Sequence, residues 1–342
     1  MSIAVVGDGW WRTACKTAGE AHRVLPPAVQ PPANPYSADA QARLAIGPKW
    51  LNMLAAEPVD AIVDNGSAGL AFVPDPNNAA SAKLLHEAAG VPLLSHWIDP
   101  LVTVFQSLPW QAVWGSMMSE SWFKFVWDKP QAAELQAFGV PQVYYLPMAA
   151  PDREYNTAPL PEDGAKHPVS FVGGQNTSYF NPQNSVPGEN LFHGTLALAV
   201  RSDMPDVDFY SVYFELYGVA EPPRPDEPLA SRMAKAQDYF SRKLFYNASQ
   251  CIKQRDRFVI FLKRRLGDTF RLLGDRWDTA YGLRCEPQIP STEAYFEHFR
   301  NCAINLNFVN GNSDSGLNMR HFEITAAGGF LLCYHQPEIA EH

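Results

Sequence analysis

Cys302-Ala303-Ile304-Asn305-Leu306-Asn307-Phe308 is followed by a polar loop over 310–315, a helix at about 317–327 closed by Gly328-Gly329, and Phe330-Leu331-Leu332-Cys333-Tyr334. The two short apolar runs have the length of buried strands, and the glycine pair is a helix stop. A strand, a crossover helix and a second strand make a parallel pair, so this stretch predicts an α/β domain with a parallel sheet. The same alternation extends upstream. Ser291 is expected to cap a helix over Thr292–Arg300 with Glu293 in its first turn. Arg271-Leu272-Leu273 reads as a strand, helices are expected at about 229–252 and 255–268, and Val169-Ser170-Phe171-Val172 ends in a Gly173-Gly174 turn.

The N-terminal half repeats the pattern. Ile3-Ala4-Val5-Val6-Gly7 is an apolar run ending in glycine, followed by the loop Gly7-Asp8-Gly9-Trp10-Trp11 and a helix over 13–21. A helix around 48–56, a strand at 59–63, a helix over 78–89 stopping at Gly90, and a strand at 91–97 follow. Gly139 to Pro147 reads as the last strand of this half. The Pro-rich connection over 147–168 marks the division, giving domains at 1–160 and 161–342. Residues 176–226, rich in Asn, Pro and Tyr, read as an insertion or an elaborated loop-helix segment.

Composition bounds the function. A chain of 342 residues is long enough for two cores. Its net charge of −9 opposes the basic field that non-specific nucleic-acid binding requires. Lys263-Arg264-Arg265 is a local exception and reads as a solvated helix face. No apolar run approaches membrane-spanning length, and Met1-Ser2-Ile3 runs directly into a strand, so no secretory leader is expected. Cys15, Cys251, Cys285, Cys302 and Cys333 are scattered without a CxxC pair, which argues for a reducing, cytoplasmic setting and against structural zinc.

In parallel folds ligands meet the carboxyl ends of strands, so the loops there carry the candidate sites. In the segment from Ser313 to Gly329, Ser315 could cap the helix and Gly316 could open its first N–H groups to a phosphate. Arg320 and Glu323 stand three apart on one helical face, where the arginine could hold a diphosphate and the carboxylate two ribose hydroxyls; an ordinary surface ion pair is the alternative. Gly173-Gly174 after its strand could cradle a phosphate or make a plain tight turn, and it lacks both the Walker and the three-glycine patterns. Gly9 and Trp10 present the same choice at the first strand. His96 and Asp99 at a strand end could supply a general base, with Trp97 as a sugar-stacking ring; a buried histidine and an Asp-Pro turn are the bland reading. His321, His335 and His342 show no metal spacing with carboxylates, and no metal is assigned.

Taken in order, several segments resemble the CgeB-like glycosyltransferases, named for a spore-maturation protein and part of the wider GT-B group. They are Gly90-Val91-Pro92 with Trp97-Ile98-Asp99-Pro100, Tyr145-Leu146-Pro147-Met148-Ala149, Val169 to Gly174, Gly274-Asp275-Arg276-Trp277, and Asn318-Met319-Arg320-His321-Phe322-Glu323 with Gly328-Gly329-Phe330-Leu331-Leu332. The resemblance covers most of the chain, with 176–252 the weakest stretch, and the last segment is its most specific. It implies two Rossmann-like domains facing a cleft and a nucleoside-diphosphate sugar as donor, UDP by default, with neither a cofactor nor a metal.

The donor would be held by Gly173, Gly174, Gln288, Ser315, Gly316, Asn318, Arg320 and Glu323, with Gln288 meeting the base. Asp99 or His96 would serve as acceptor base if the reaction inverts. In retaining relatives two glutamates seven residues apart sit on this helix. The second falls on Glu323 and the first on Ser315, which leaves inversion and retention both open. GT-B chains also usually continue with helices beyond the position of Tyr334, so the chain ending at His342 is read as truncated or closed differently. The acceptor, whether protein, glycan or small molecule, is not specified. A GT-B-shaped epimerase, a phosphorylase and a non-catalytic sugar-nucleotide or partner-binding protein are the alternatives.

Overall fold

The computed structural model describes residues 1–7, 10–28, 40–75, 78–99, 108–150, 161, 164–175, 209–216, 223–250, 255–309, 311 and 313–341. The chain divides into two compact units, Met1–Leu146 with Glu221–Phe240, and Pro147–Ala220 with Ser241–His342. Each has its own parallel sheet, so the fold is mixed α/β.

In the first unit the chain runs through β1 (Ser2–Val6), α1 (Trp10–Ala18), β2 (Ala21–Leu25), α2 (Ala40–Ala56) and β3 (Ala61–Asn65). A hairpin of β4 (Phe72–Asp75) and β5 (Asn78–Leu84) and the short α3 (Leu85–Ala89) come next. Then follow β6 (Leu93–Trp97), α4 (Trp110–Met117), β7 (Trp122–Val126), α5 (Lys129–Ala137) and β8 (Val143–Tyr145). The sheet order is β2-β1-β3-β6-β7-β8, with every pair parallel. Because the chain leaves β1 first to one side and then to the other, the topological switch lies between β1 and β3.

Two expectations need correction here. The helix foreseen over 78–89 is helical only from Leu85, because Asn78–Leu84 pairs antiparallel with β4, with Phe72 opposite Leu84. Cross-strand pairing has overridden the local preference of that Ala-rich run for helix. Gly90 does close the helix, in the left-handed conformation at φ 67. The helix around 48–56 starts earlier, at Ala40, and carries Pro48 in its interior. There Gly47 lets the helix approach β4 so closely that a Cβ would stand 2.0 Å from the Phe72 carbonyl oxygen.

In the second unit come β9 (His167–Val172), α6 (Phe209–Leu216), the C-terminal part of α7 (Leu229–Gln250), α8 (Arg257–Leu266) and β10 (Phe270–Leu273). They are followed by α9 (Trp277–Tyr281), α10 (Thr292–Arg300), β11 (Cys302–Asn307), α11 (Met319–Ala326) and β12 (Leu331–Cys333). Ser291 caps α10, its hydroxyl accepting from the Ala294 amide at 3.2 Å. The sheet order is β10-β9-β11-β12, all parallel. Alternate residues feed two cores. Phe171, Leu272 and Leu306 pack with Val259 and Trp277 on one face, and Val172 and Leu273 with Phe296, Phe299 and Ile324 on the other. Burial on both faces is what near-continuous apolar strands require. The switch in this unit lies between β9 and β11.

Most of the Asn-, Pro- and Tyr-rich segment at 176–226 lies outside the described residues, and α6 is its described helix.

Candidate functional site

At the carboxyl ends of β9 and β11, where the switch opens the sheet, lies a cleft of about 480 Å³ within the second unit. Parallel strands aim the loops that follow them at one edge, which is why residues distant in sequence converge there. The loop after β9 contributes Gly173, Gly174 and Gln175, and the loop after β10 contributes Gly274, Asp275 and Arg276. Asn307 and Phe308 come from the end of β11, Asn318, Met319 and Arg320 from the start of α11, Tyr295 from α10, and Gln288 and Arg255 from connecting segments.

Backbone constraints hold the floor. Gly274 has φ 130, and a Cβ on it would stand 2.5 Å from the Gly173 carbonyl oxygen and 2.8 Å from the Gly174 nitrogen. Only glycine allows the two loops to lie this close. The Gly173 amide donates to the Leu273 carbonyl at 2.9 Å, and its carbonyl accepts from the Trp277 indole at 2.7 Å. Arg276 takes the left-handed conformation at φ 69, which for a non-glycine residue stores strain of the kind found at binding loops.

Three arginines and one carboxylate, Asp275, line the cleft, and two of the arginines are paired with carboxylates, Arg255 with Asp256 and Arg320 with Glu323. Arg255 is buried beside the fully buried Asp256, with Nε donating to it at 3.0 Å, and its guanidinium lies over the Trp277 ring at 5.5 Å. Asp256 also accepts from the Tyr281 hydroxyl at 2.9 Å and from the Gln175 amide at 3.2 Å, which ties the loop after β9 to α9. Arg320 pairs with Glu323 one turn along α11, and its guanidinium lies 4.8 Å from the centre of the Tyr295 ring. The pair is partly exposed, and Glu323 stands behind Arg320 rather than on the cleft wall.

Asn318, in extended backbone just before α11, accepts from the Asn307 amide at 2.9 Å. Both contact the buried His321, whose Nδ1 lies 2.9 Å from Asn307 and 3.0 Å from Asn318. Burial pushes His321 down to about 4, so it is neutral at neutral pH. The start of α11, where Asn318 makes no side-chain cap, lines the cleft with Asn318, Met319 and Arg320.

Five of the sequence-predicted donor residues meet in this cleft: Gly173, Gly174, Gln288, Asn318 and Arg320. Ser315, Gly316 and Glu323 do not. Ser315 does not cap α11, which begins four residues later; its hydroxyl donates to the buried Glu338 at 2.5 Å, and Gly316 is buried. The loop instead folds inward, where Asp314 accepts from the buried Lys243 at 2.7 Å. A buried ion pair outcompetes an open helix cap for this segment. Gln175, Arg255, Asp275, Arg276, Tyr295 and Asn307 were not foreseen. Only Gln175, beside the glycine pair, and Asp275 and Arg276, in the Gly274-to-Trp277 segment, carried a signal.

In the first unit, His96 is the penultimate residue of β6, its Nε2 3.4 Å from the Leu146 carbonyl oxygen and its ring edge-on to Trp11 at 6.2 Å. Burial lowers its pKa, which leaves it neutral and able to accept a proton. Asp99 is half-buried two residues beyond the strand. Trp97 is corrected: it is 1% exposed and packs edge-on against Trp122 at 5.8 Å, so its ring fills the core and cannot stack on a sugar. Alternation along β6 turns it inward. Trp10 opens α1, and Gly9 lies outside the described residues. Among the described residues no group of three or more His, Cys, Asp or Glu is placed to hold a metal ion, and no helix is long and apolar enough to cross a membrane.

Residues 253–342 match the family model described as Glycosyl transferase-like. No curated protein matches. Among solved structures, Anabaena Alr3699/HepE in complex with UDP and glucose is 11% identical with a TM-score of 0.42, covering 99% of this chain and 74% of that one. The spinosyn rhamnosyltransferase SpnG complexed with thymidine diphosphate is 12% identical with a TM-score of 0.37, over 99% of this chain and 82% of that one. The glycosyltransferase SnogD from Streptomyces nogalater is 10% identical with a TM-score of 0.36, over 97% and 82%.

Proposed function

We propose that this protein is a glycosyltransferase of the GT-B kind, akin to the CgeB-like enzymes, that binds a nucleoside-diphosphate sugar in the cleft of its second unit. The observation that carries this reading is the convergence of Arg255, Arg276 and Arg320 with the glycine loop and the start of α11 on one cleft, most of it within the stretch matching the Glycosyl transferase-like model. Arginine forks and helix-start N–H groups suit a diphosphate, and the Gln288 amide suits a nucleobase. UDP is the nucleotide implied by the resemblance.

In the proposed reaction an acceptor hydroxyl attacks the anomeric carbon as the bond to the diphosphate breaks. The bonding pair leaves with the phosphate oxygen. Arg320 and the backbone amide of Gly174 stabilise the departing charge, without a divalent ion. Glu323, paired with Arg320, orients its guanidinium toward the diphosphate. In an inverting reaction the acceptor proton passes to Asp99 or His96, a role that rests on their strand-end positions; in a retaining one the leaving phosphate takes it. If Asp99→Asn and His96→Ala are both stable and keep full rate, neither is the base.

The experiment that tests the reading is a thermal-shift screen of nucleotides and sugar nucleotides. A ligand at a hundred times its Kd stabilises by about 2.7 kcal/mol, so a nucleoside diphosphate or its sugar conjugate should raise the melting temperature selectively. No shift with any of them would remove the donor site.

A further inference from the structure

The basic run Lys263-Arg264-Arg265 has no part in the cleft, and it sits on a surface of unusual make-up. Lys263 is tied down, its Nζ donating to the Phe270 carbonyl at 2.9 Å and the Gly267 carbonyl at 3.1 Å. The other basic residues of α8, Arg257, Arg264 and Arg265, are exposed and meet no carboxylate or other acceptor among the described residues. Val259 is buried beneath the helix, and the opposite face carries Phe261 at its centre, 61% exposed. At helical spacing Arg257 and Arg264 flank that ring on one side, Phe258 and Arg265 on the other. A large exposed aromatic among three unpaired arginines is costly for a surface that only faces water. The chain carries −9 overall, so the concentration of positive charge on this face is local.

We infer that α8 is a docking surface for an anionic lipid bilayer. Arg257, Arg264 and Arg265 would meet lipid phosphates, and Phe261, with Phe258 beside it, would enter the boundary between headgroups and acyl chains. A shallow depression of about 500 Å³ between Phe261, Ile260 and Tyr281, rimmed by the arginines, leaves room for that insertion. The arginines span about 12 Å of one convex helix at 1.5 Å per residue, whereas a nucleic-acid strand needs a basic groove to follow. The helix starts two residues after Arg255 of the cleft, and Phe258 stacks on the cleft residue Phe308 at 5.6 Å. Docking would therefore bring the mouth of the cleft close to the bilayer. This inference is independent of the sugar-nucleotide reading.

Flotation of the full chain with vesicles of phosphatidylcholine alone, or of phosphatidylcholine with phosphatidylglycerol, tests it without any use of activity. The chain should float with the anionic vesicles only, and less so as salt rises above about 0.15 M, where screening shortens to about 8 Å. Both Phe261→Ser and the double variant Arg264→Glu/Arg265→Glu should cut the bound fraction roughly tenfold. Both sites are exposed, so the variants should keep the native melting temperature. Absence of flotation, or equal flotation with neutral vesicles, overturns the inference. So does binding to a short single-stranded RNA that the arginine variant loses and Phe261→Ser keeps, which would assign the face to a soluble polyanion.

Discussion

Gly274 shows how a single residue sets the geometry of the candidate site. With φ 130 and a Cβ position 2.5 Å from the Gly173 carbonyl, it admits no side chain without moving the loop after β9. Gly274→Ala should cost about 1–3 kcal/mol of stability and weaken nucleotide binding several-fold, read by melting temperature and calorimetry on the same sample. Unchanged values would show that the two loops part without consequence. Asp64, fully buried in β3 of the first unit, makes a different prediction. Burial lifts its carboxyl to about 7, against the lowering by Ser95, the Gly69 amide and Arg43. The native state therefore holds a proton that the unfolded chain releases near 4, so this contribution to stability is complete at low pH and is lost as pH rises toward 7. The buried histidines oppose it below pH 6.5, since burial holds His86, His298 and His321 near 4. The comparison is best made between the native chain and Asp64→Asn. From about pH 5 to about pH 8 the melting temperature of the variant should rise relative to the native one. A constant difference would mean that Asp64 is ionised throughout.

At the scale of elements, the site depends on how the segment between β11 and α11 is anchored. Its loop is pinned by the buried Asp314–Lys243 pair and by Ser315 on Glu338, and α11 starts only after that inward turn. Asp314→Ala removes the carboxylate paired with a buried ammonium and should cost about 3–5 kcal/mol, measured by denaturant unfolding. A loss under about 1 kcal/mol would show that water reaches Lys243 readily. The strands of this half and the Ser291 cap were legible because apolar runs and cap residues are local signals. The inward turn at 313–316 was not, because it is decided by a lysine on α7 and a glutamate near residue 338. The hairpin at Phe72–Leu84 escaped for the same reason: pairing with a neighbour outweighed a composition that favours helix. Trp97 was readable as a strand-end residue but not as a core one, since periodicity alone does not say which face of β6 is turned toward Trp122.

In the whole molecule, two parallel sheets, each with its own switch point, follow from the repeated strand and helix alternation, and that level of the fold was open to the sequence. The site was open only in part. Gly173, Gly174, Asn318 and Arg320 were found through local motifs, whereas Arg255, Tyr295 and Asn307 reach the cleft through the order β10-β9-β11, which no local pattern encodes. The central claim is that this cleft holds the nucleotide of a sugar-nucleotide donor. Its most direct test is calorimetric titration of UDP into the native chain, Arg320→Ala and Glu323→Ala, each checked for native melting. The account predicts saturable one-to-one binding by the native chain, weakened by about 1–3 kcal/mol in each variant, the scale of a lost charged hydrogen bond. UDP affinity that is absent in the native chain, or unchanged in both folded variants, would contradict it.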